Sequence, residues 1–364
     1  MFDIKDLLSL SAVPGVGSNR LRALVSHFKD PAAVFHSSAR ELIKVRGIDK
    51  KTAVNIVRFR DGRKFADQQL SRLNNVEGRI ITFWDDEYPE LLRKIYDPPP
   101  FLFMLGSIIP SDSLAIAIVG TRAPTMYGKI VAEKFSGQLA EMGLTIVSGL
   151  ARGIDTVAHT AGLKAGGRTI AVIGSGIDII YPPENKRLAE KISRRGAILS
   201  EFEMGARPDA VNFPRRNRII SGFALGTLIV ETTESGGAMI TANTALDQNR
   251  EVFAIPGPIT EIRSSGTNRL IKEGRAKLVQ RVEDIVSELQ VKLRPLLKRE
   301  EKKIESPLSL FEKRLLDCLG TEPLHIDTIA AQTALATSDA LVNLLSLEFK
   351  SLVRQLPGKM FVRL

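Results

Sequence analysis

The residues best suited to chemistry in this chain are arginines set beside glycines. Segment 213–222 reads FPRRNRIISG and places Arg215, Arg216 and Arg218 within four positions. Three further segments repeat the pairing: GTR at 120–122, SGLARGID at 148–155, and GSGID at 174–178, which runs on into YPPENKR at 181–187. A planar guanidinium matches phosphate oxygens two at a time. A glycine turn that ends a strand and opens a helix adds backbone N–H groups and the positive end of the helix dipole. Arg122, Arg152, Lys186 and the 215–218 group are therefore candidates for one anion-binding crevice. If 215–218 is extended, Arg216 and Arg218 face one way and Arg215 and Asn217 the other. One pair would then grip the anion and the other brace the loop.

Other chemistry finds little support. No G-x-x-x-x-G-K-[ST] loop is present, and GSGID is a lone G-x-G that fails the dinucleotide fingerprint. Ser148, Ser175 and Ser235 lie near glycines but in no G-x-S-x-G elbow. Asp155 and His159 share a helix face at i, i+4 and read as a cap and a packed imidazole. His27, His36, His159 and His325 are scattered, and Cys318 is the single cysteine, set in an apolar run as a core residue. No catalytic residue, metal site, cofactor or disulfide framework is expected.

Positioning such a crevice takes a particular set of elements. Short β-rich runs at Ala115–Val119, Leu144–Val147, Thr169–Ile173, Ala197–Leu199, Thr227–Val230 and Glu251–Ala254 alternate with amphipathic stretches such as Lys129–Met142 and Asp155–Lys164. That alternation predicts an extended Rossmann-like parallel sheet with helices on both faces, whose ligands bind beyond the strand C-termini. Ahead of it, VPGVGSNRLRAL at 13–24 is echoed by VRGIDKKTAVNI at 45–56, which predicts a helical pair of helix-hairpin-helix units. Asp49 replaces the second glycine of the later copy and would oppose a phosphate there. After the sheet, 309–364 fits a winged helix, with helices at Ile326–Thr333 and Ala340–Leu352, N-caps among Thr337–Asp339, and a hairpin wing from Leu356. Its second helix offers Asn343 and Lys350 against Asp339 and Glu348, which suits a protein contact better than a groove reader. The expected domains are 1–75, 76–290 and 309–364, with a charged linker at 291–308.

Bulk properties narrow the class. The 364 residues are 44% hydrophobic and 25% charged, which excludes wholesale disorder. No apolar run approaches the ~18 residues of a membrane helix, and no signal-peptide pattern opens the chain, so a cytoplasmic location is expected. The net charge of +10 invites a nucleic-acid partner. The surplus sits in 1–75 and 291–305 while 76–290 is close to neutral, so the arginines of the middle segment are a local feature.

Taken in order, SGLARGID..AH, GSGIDIIYPPEN, FPRRNRIISG, SGGAMITA, VFAIPG and SSGTNRLI resemble the DNA-processing protein A (DprA/Smf) family. The resemblance is strong over about 80–290 and extends through both ends. It implies a non-enzymatic single-stranded DNA-binding protein, a homodimer that helps load the RecA recombinase during natural transformation and needs no cofactor. Carried over by motif, DNA would meet Arg122, Arg152, Lys186, Arg215, Arg216 and Arg218, with Gly149, Gly174 and Gly176 admitting phosphate and Phe213 stacking on a base. The family commonly has SGS where this chain has Ser235-Gly236-Gly237, so a hydroxyl contact there is lost. The alternative is a Rossmann-like nucleotide-processing enzyme of the phosphoribohydrolase type, but ETTESGGAMITA lacks the PGG-x-GT-x-x-E order of that class.

Overall fold

The computed structural model describes residues 2–289, 309–320, 323–349, 352–356 and 358–363. The chain divides into two compact units, Met1–Val291 and Lys292–Leu364. The expected linker at 291–308 lies outside the described residues.

The first unit opens with six helices: α1 (Ile4–Ser11), α2 (Ser18–Phe28), α3 (Pro31–His36), α4 (Ala39–Leu42), α5 (Lys50–Arg58) and α6 (Gly62–Asn74). The two hairpins at 13–17 and 45–49 precede α2 and α5 and are tied to each other. Arg20 donates to the Gly15 carbonyl, the Thr52 hydroxyl and the Asp49 carboxylate, each at 2.8 Å. Asn55 returns a bond to the Pro14 carbonyl at 2.9 Å. Asp49 caps α5 by accepting from the Thr52 N–H at 2.7 Å, so a carboxylate already fills the anion position of the second hairpin. Leu7, Leu10, Leu24, Val34 and Ile56 form the core of this bundle.

The rest of the unit is a nine-stranded sheet in the order β1-β2-β6-β5-β4-β3-β7-β8-β9. Its strands are β1 (Arg79–Thr82), β2 (Phe101–Gly106), β3 (Ala115–Val119), β4 (Thr145–Ser148), β5 (Thr169–Val172), β6 (Ala197–Ser200), β7 (Gly226–Ile229), β8 (Glu251–Ala254) and β9 (Lys277–Leu278). From β6 across to β9 every pairing is parallel, as the alternation predicted. The antiparallel pair β1–β2, which the sequence reading did not foresee, extends the β6 edge. Between the strands run α7 (Glu90–Arg93), α8 (Met126–Glu141), α9 (Ile154–Lys164), α10 (Lys186–Arg195), α11 (Asn212–Phe223), α12 (Gly237–Asp247) and α13 (Ser265–Lys272). Helices α8, α9 and α10 pack along one face, and α11 and α12 pack together on the other. The chain steps outward from β3 to β6 and then returns to β7 on the other side of β3. That reversal opens a crevice at the C-terminal ends of β3 and its neighbours.

The second unit holds α14 (Leu310–Cys318), α15 (Ile326–Thr333) and α16 (Thr337–Phe349), with a sheet of β10 (Leu324–His325), β11 (Val353–Leu356) and β12 (Met360–Arg363) in the order β10-β12-β11. This is the winged helix the sequence predicts. Ser309 and Glu312 form a reciprocal cap on α14. Thr337–Asp339, expected as caps, are the first residues of α16. Cys318 is partly buried, with its thiol 2.9 Å from the Gln332 side-chain oxygen. Asn343 donates to the Asp339 carbonyl within its own helix, while Lys350 lies outside the described residues.

Candidate functional site

The strand C-termini converge on a cleft of about 680 Å³ whose lining includes Gly120, Arg122, Tyr181, Phe213, Asn217 and Thr233. A small recess beside it is lined by Arg122, Gly149, Arg152, Gly174, Phe213 and Arg216, among others. Six of the ten predicted residues thus come together. Gly176, Lys186, Arg215 and Arg218 line neither space.

The turn after β3 is held from β7. Buried Glu231 accepts from the Thr125 N–H at 2.9 Å and from its hydroxyl, while Thr125 caps α8 at the Gly128 N–H. The Thr121 N–H donates to the Glu231 carbonyl at 2.7 Å. Arg122 is left exposed on this braced turn, its guanidinium 5.0 Å from the Phe213 ring centroid. Gly153 completes the packing with φ +77°, and a Cβ there would meet the Arg122 backbone at 2.7 Å. Phe213 is half-buried, and Tyr181 tilts toward it at 6.1 Å between centroids. Tyr181 escaped the sequence reading. Its signal was an aromatic directly after the apolar Ile179-Ile180 pair, at a turn that leads into a basic segment.

Segment 213–218 is helical, which corrects the extended alternative. Ile219, Ile220 and Phe223 turn into the core from α11, and Pro214 sits in the first turn, where its missing N–H costs nothing. At 100° per residue Arg216 shares the face of Ile219 and Ile220, and Arg215 shares its side with Arg218. Arg216 is only 3% exposed and donates to the Val172 carbonyl at 2.6 Å. Burial lowers its guanidinium to about 10, offset by the Asp155 carboxylate. Burial likewise pushes Asp155 up, opposed by Arg216 and by the N–H groups of Gly149 and Ala151 at 3.1 and 3.3 Å. Arg216 stays cationic at neutral pH and braces the recess from within. Arg218 pairs with Glu201, a carboxyl raised by burial and lowered by Arg218 itself, and lies 3.7 Å from Asp97. Arg215 is exposed, with its guanidinium 5.6 Å over the Phe202 ring.

The glycines have a packing role that the sequence did not reveal. A Cβ on Gly149 would strike the Arg216 guanidinium and lie 2.6 Å from Asp155 Oδ2. On Gly174 it would press Phe213 at 3.1 Å, and on Gly176 it would meet the Asp178 carboxylate and the Glu203 carbonyl at 2.6 Å. The Gly149 N–H is engaged by Asp155 and the Gly176 N–H by the Ala206 carbonyl at 2.9 Å. These two amides are therefore already spent inside the protein.

Arg152 is exposed and paired with Glu184 at 2.5 Å, which raises its guanidinium. Lys186 is the exposed first residue of α10. His159 is fully buried and held near pKa 3 by burial and by the Arg216 charge. Its Nδ1 lies 2.5 Å from the Thr169 hydroxyl, which itself donates to the Ile146 carbonyl. The network therefore assigns the proton to Nδ1 and leaves Nε2 buried without a hydrogen-bond partner. Among the described residues no group of three or more His, Cys, Asp or Glu side chains could hold a metal, and no helix is long and apolar enough to cross a membrane.

Comparison with known proteins agrees with this architecture. Residues 79–290 match the family model described as DNA recombination-mediator protein A, 299–359 the DprA winged helix domain, and 5–60 the SAM-like helix-hairpin-helix tandem. The chain is 36% identical to Protein Smf of Synechocystis over 98% of both chains. It is 40% identical to Protein Smf of Escherichia coli over 83% of this chain and 82% of that one. The X-ray structure of DNA processing protein A from Streptococcus pneumoniae superposes with TM-score 0.68 at 34% identity, over 79% of this chain and 99% of the other. DNA processing protein A from Helicobacter pylori, whose single-stranded DNA binding mode has been described structurally, gives TM-score 0.54 at 29% identity over 59% and 97% of the two chains.

Proposed function

The chain belongs to the DNA recombination-mediator protein A family, and from that membership we propose that its cleft grips single-stranded DNA for recombination. The observation that carries the reading is the exposed Arg122 guanidinium stacked over half-buried Phe213 at the mouth of a strand-end cleft. A cation for phosphate and an aromatic face for a base, side by side, suit a flexible single strand. Arg122 and Arg152 contact phosphate, with Lys186 at the cleft's margin. Phe213 stacks on a base, and Tyr181 flanks it. Arg216 and Arg218 act as braces rather than grips, because each is already committed to buried protein partners. Gly149 makes room for the Arg216 brace, Gly174 for the Phe213 ring, and Gly176 for the Asp178 carboxylate and the Glu203 carbonyl. Arg215 contributes charge at longer range.

The protein acts without a catalytic step or cofactor, as a homodimer in the cytoplasm, and passes the strand to RecA during natural transformation. Domain limits at 1–75, 76–290 and 309–364 divide these tasks between the DNA cleft and the two flanking modules.

Arg122→Glu tests the assignment. At ~0.1 M salt, loss of one phosphate contact lowers oligo-dT affinity by about fivefold and flattens the salt slope by ~0.7, with thermal unfolding unchanged. Unaltered affinity and slope in this variant would remove Arg122 from the site. Release of free base from nucleoside monophosphates would favour the phosphoribohydrolase alternative.

A further inference from the structure

Helix α10 carries a concentration of charge that neither the cleft nor helix stability accounts for. Its ten residues, KRLAEKISRR, hold Lys186, Arg187, Lys191, Arg194 and Arg195 against the single carboxylate Glu190. All five cations are exposed, and among the described residues none makes an ion pair. Ala189 and Ile192 face the core, so the opposite side is a basic stripe. Arg187, Lys191 and Arg194 recur at i, i+4 and i+7 along one line, about 10 Å from end to end.

Two facts argue against a merely solvated helix face. Cations in the last turn, Arg194 and Arg195, complement the helix dipole, but Lys186 and Arg187 occupy the first turn, where positive charge is unfavourable. No acidic residue stands in that turn, and nearby Glu184 is turned away to Arg152. The start of the stripe is also fixed to the cleft. Asn185, just ahead of α10, donates to the Leu150 carbonyl at 2.9 Å and to the Thr156 hydroxyl at 2.8 Å. These bonds tie the helix N-terminus to the loop that bears Arg152, while Tyr181 lines the cleft five residues earlier.

We infer that the outer face of α10 is a second phosphate-binding lane, which takes up the backbone of a single strand after it leaves the cleft past Tyr181 and Arg152. The inference rests on the single-strand reading above and adds a direction to it. The lane engages phosphates only, since the stripe carries no aromatic side chain, so it lengthens the footprint without adding base preference.

The test uses the full-length protein carrying Arg187→Gln, Lys191→Gln and Arg194→Gln together, with fluorescent oligothymidylates of about six and about thirty nucleotides. Loss of three phosphate contacts lowers affinity for the long probe about a hundredfold at ~0.1 M salt and reduces its salt slope by ~2. Affinity for the short probe, which occupies the cleft alone, stays within about twofold. A charge-preserving control, Arg187→Lys with Arg194→Lys, retains long-probe binding, and it also separates lane contacts from any loss of fold in the triple variant. Unchanged long-probe affinity and slope, or equal losses for both probes, overturns the lane. If Arg122→Glu weakens both probes while the triple variant weakens neither, the lane alone is refuted. If wild-type protein binds neither probe, the single-strand reading falls with it.

Discussion

Replacing Arg216 by methionine separates a brace from a grip. The guanidinium is 3% exposed, bonds the Val172 carbonyl at 2.6 Å and faces the buried Asp155 carboxylate. Methionine fills much of the volume but removes the countercharge. Asp155 keeps its hydrogen-bond donors, among them the Gly149 and Ala151 N–H groups, but loses its buried countercharge. Breaking a buried pair from one side costs about 3–5 kcal/mol, and the orphaned Val172 carbonyl is part of that cost. Against a domain stability of about 5–15 kcal/mol, this is a large fraction. Urea unfolding followed by far-ultraviolet circular dichroism at neutral pH should show the midpoint fall by a corresponding amount. Arg216→Met combined with Asp155→Asn should recover part of the loss, because the amide oxygen still accepts the two N–H groups and no charge remains to be balanced. The reasoning is refuted if Arg216→Met holds stability to within ~0.5 kcal/mol while oligo-dT affinity falls about tenfold. Arg216 would then be touching DNA.

Four other outcomes follow from the same geometry. Gly149→Ala drives a methyl into the Arg216 guanidinium and should cost about 1–3 kcal/mol in unfolding experiments. Gly237→Ala, which meets nothing within 4 Å, should stay within ~0.5 kcal/mol. His159, near pKa 3 when folded against ~6.5 unfolded, contributes stability that is complete above about pH 6.5 and lost as pH falls toward 3. Between pH 6.5 and 5 that amounts to about 2 kcal/mol, and His159→Gln should lack this slope in urea midpoints measured across the range. Phe213→Ala should weaken oligo-dT binding by about 1–3 kcal/mol and leave the salt slope intact. An anisotropy titration against NaCl would distinguish it from Arg122→Glu, which changes the slope.

Much of the fold was legible because it is written in local patterns. The strand runs expected at 115–119, 169–173 and 251–254 are short, apolar and bounded by glycine or polar turns, and strands appear at 115–119, 169–172 and 251–254. The 32-residue echo in the first segment marked the paired hairpins, which Arg20 and Asn55 lock together. The β1–β2 pair was invisible, since its neighbour β6 lies nearly a hundred residues further on and antiparallel edge pairing leaves no local trace.

The site divides along the same line. Residue type and spacing alone pointed to arginines and glycines gathered at strand ends, while the roles of Arg122 toward phosphate and Phe213 toward a base came with the family resemblance. What only the tertiary structure decided is which arginines remain free. Arg215, Arg216 and Arg218 are near-identical in sequence, yet one stands over Phe202, one is sealed against Val172 and Asp155, and one is held by Glu201. Their fates depend on the helical phase of α11 and on carboxylates far away along the chain. A guanidinium's role is set by the partners that compete for its donors, and those partners are assembled only when the sheet closes.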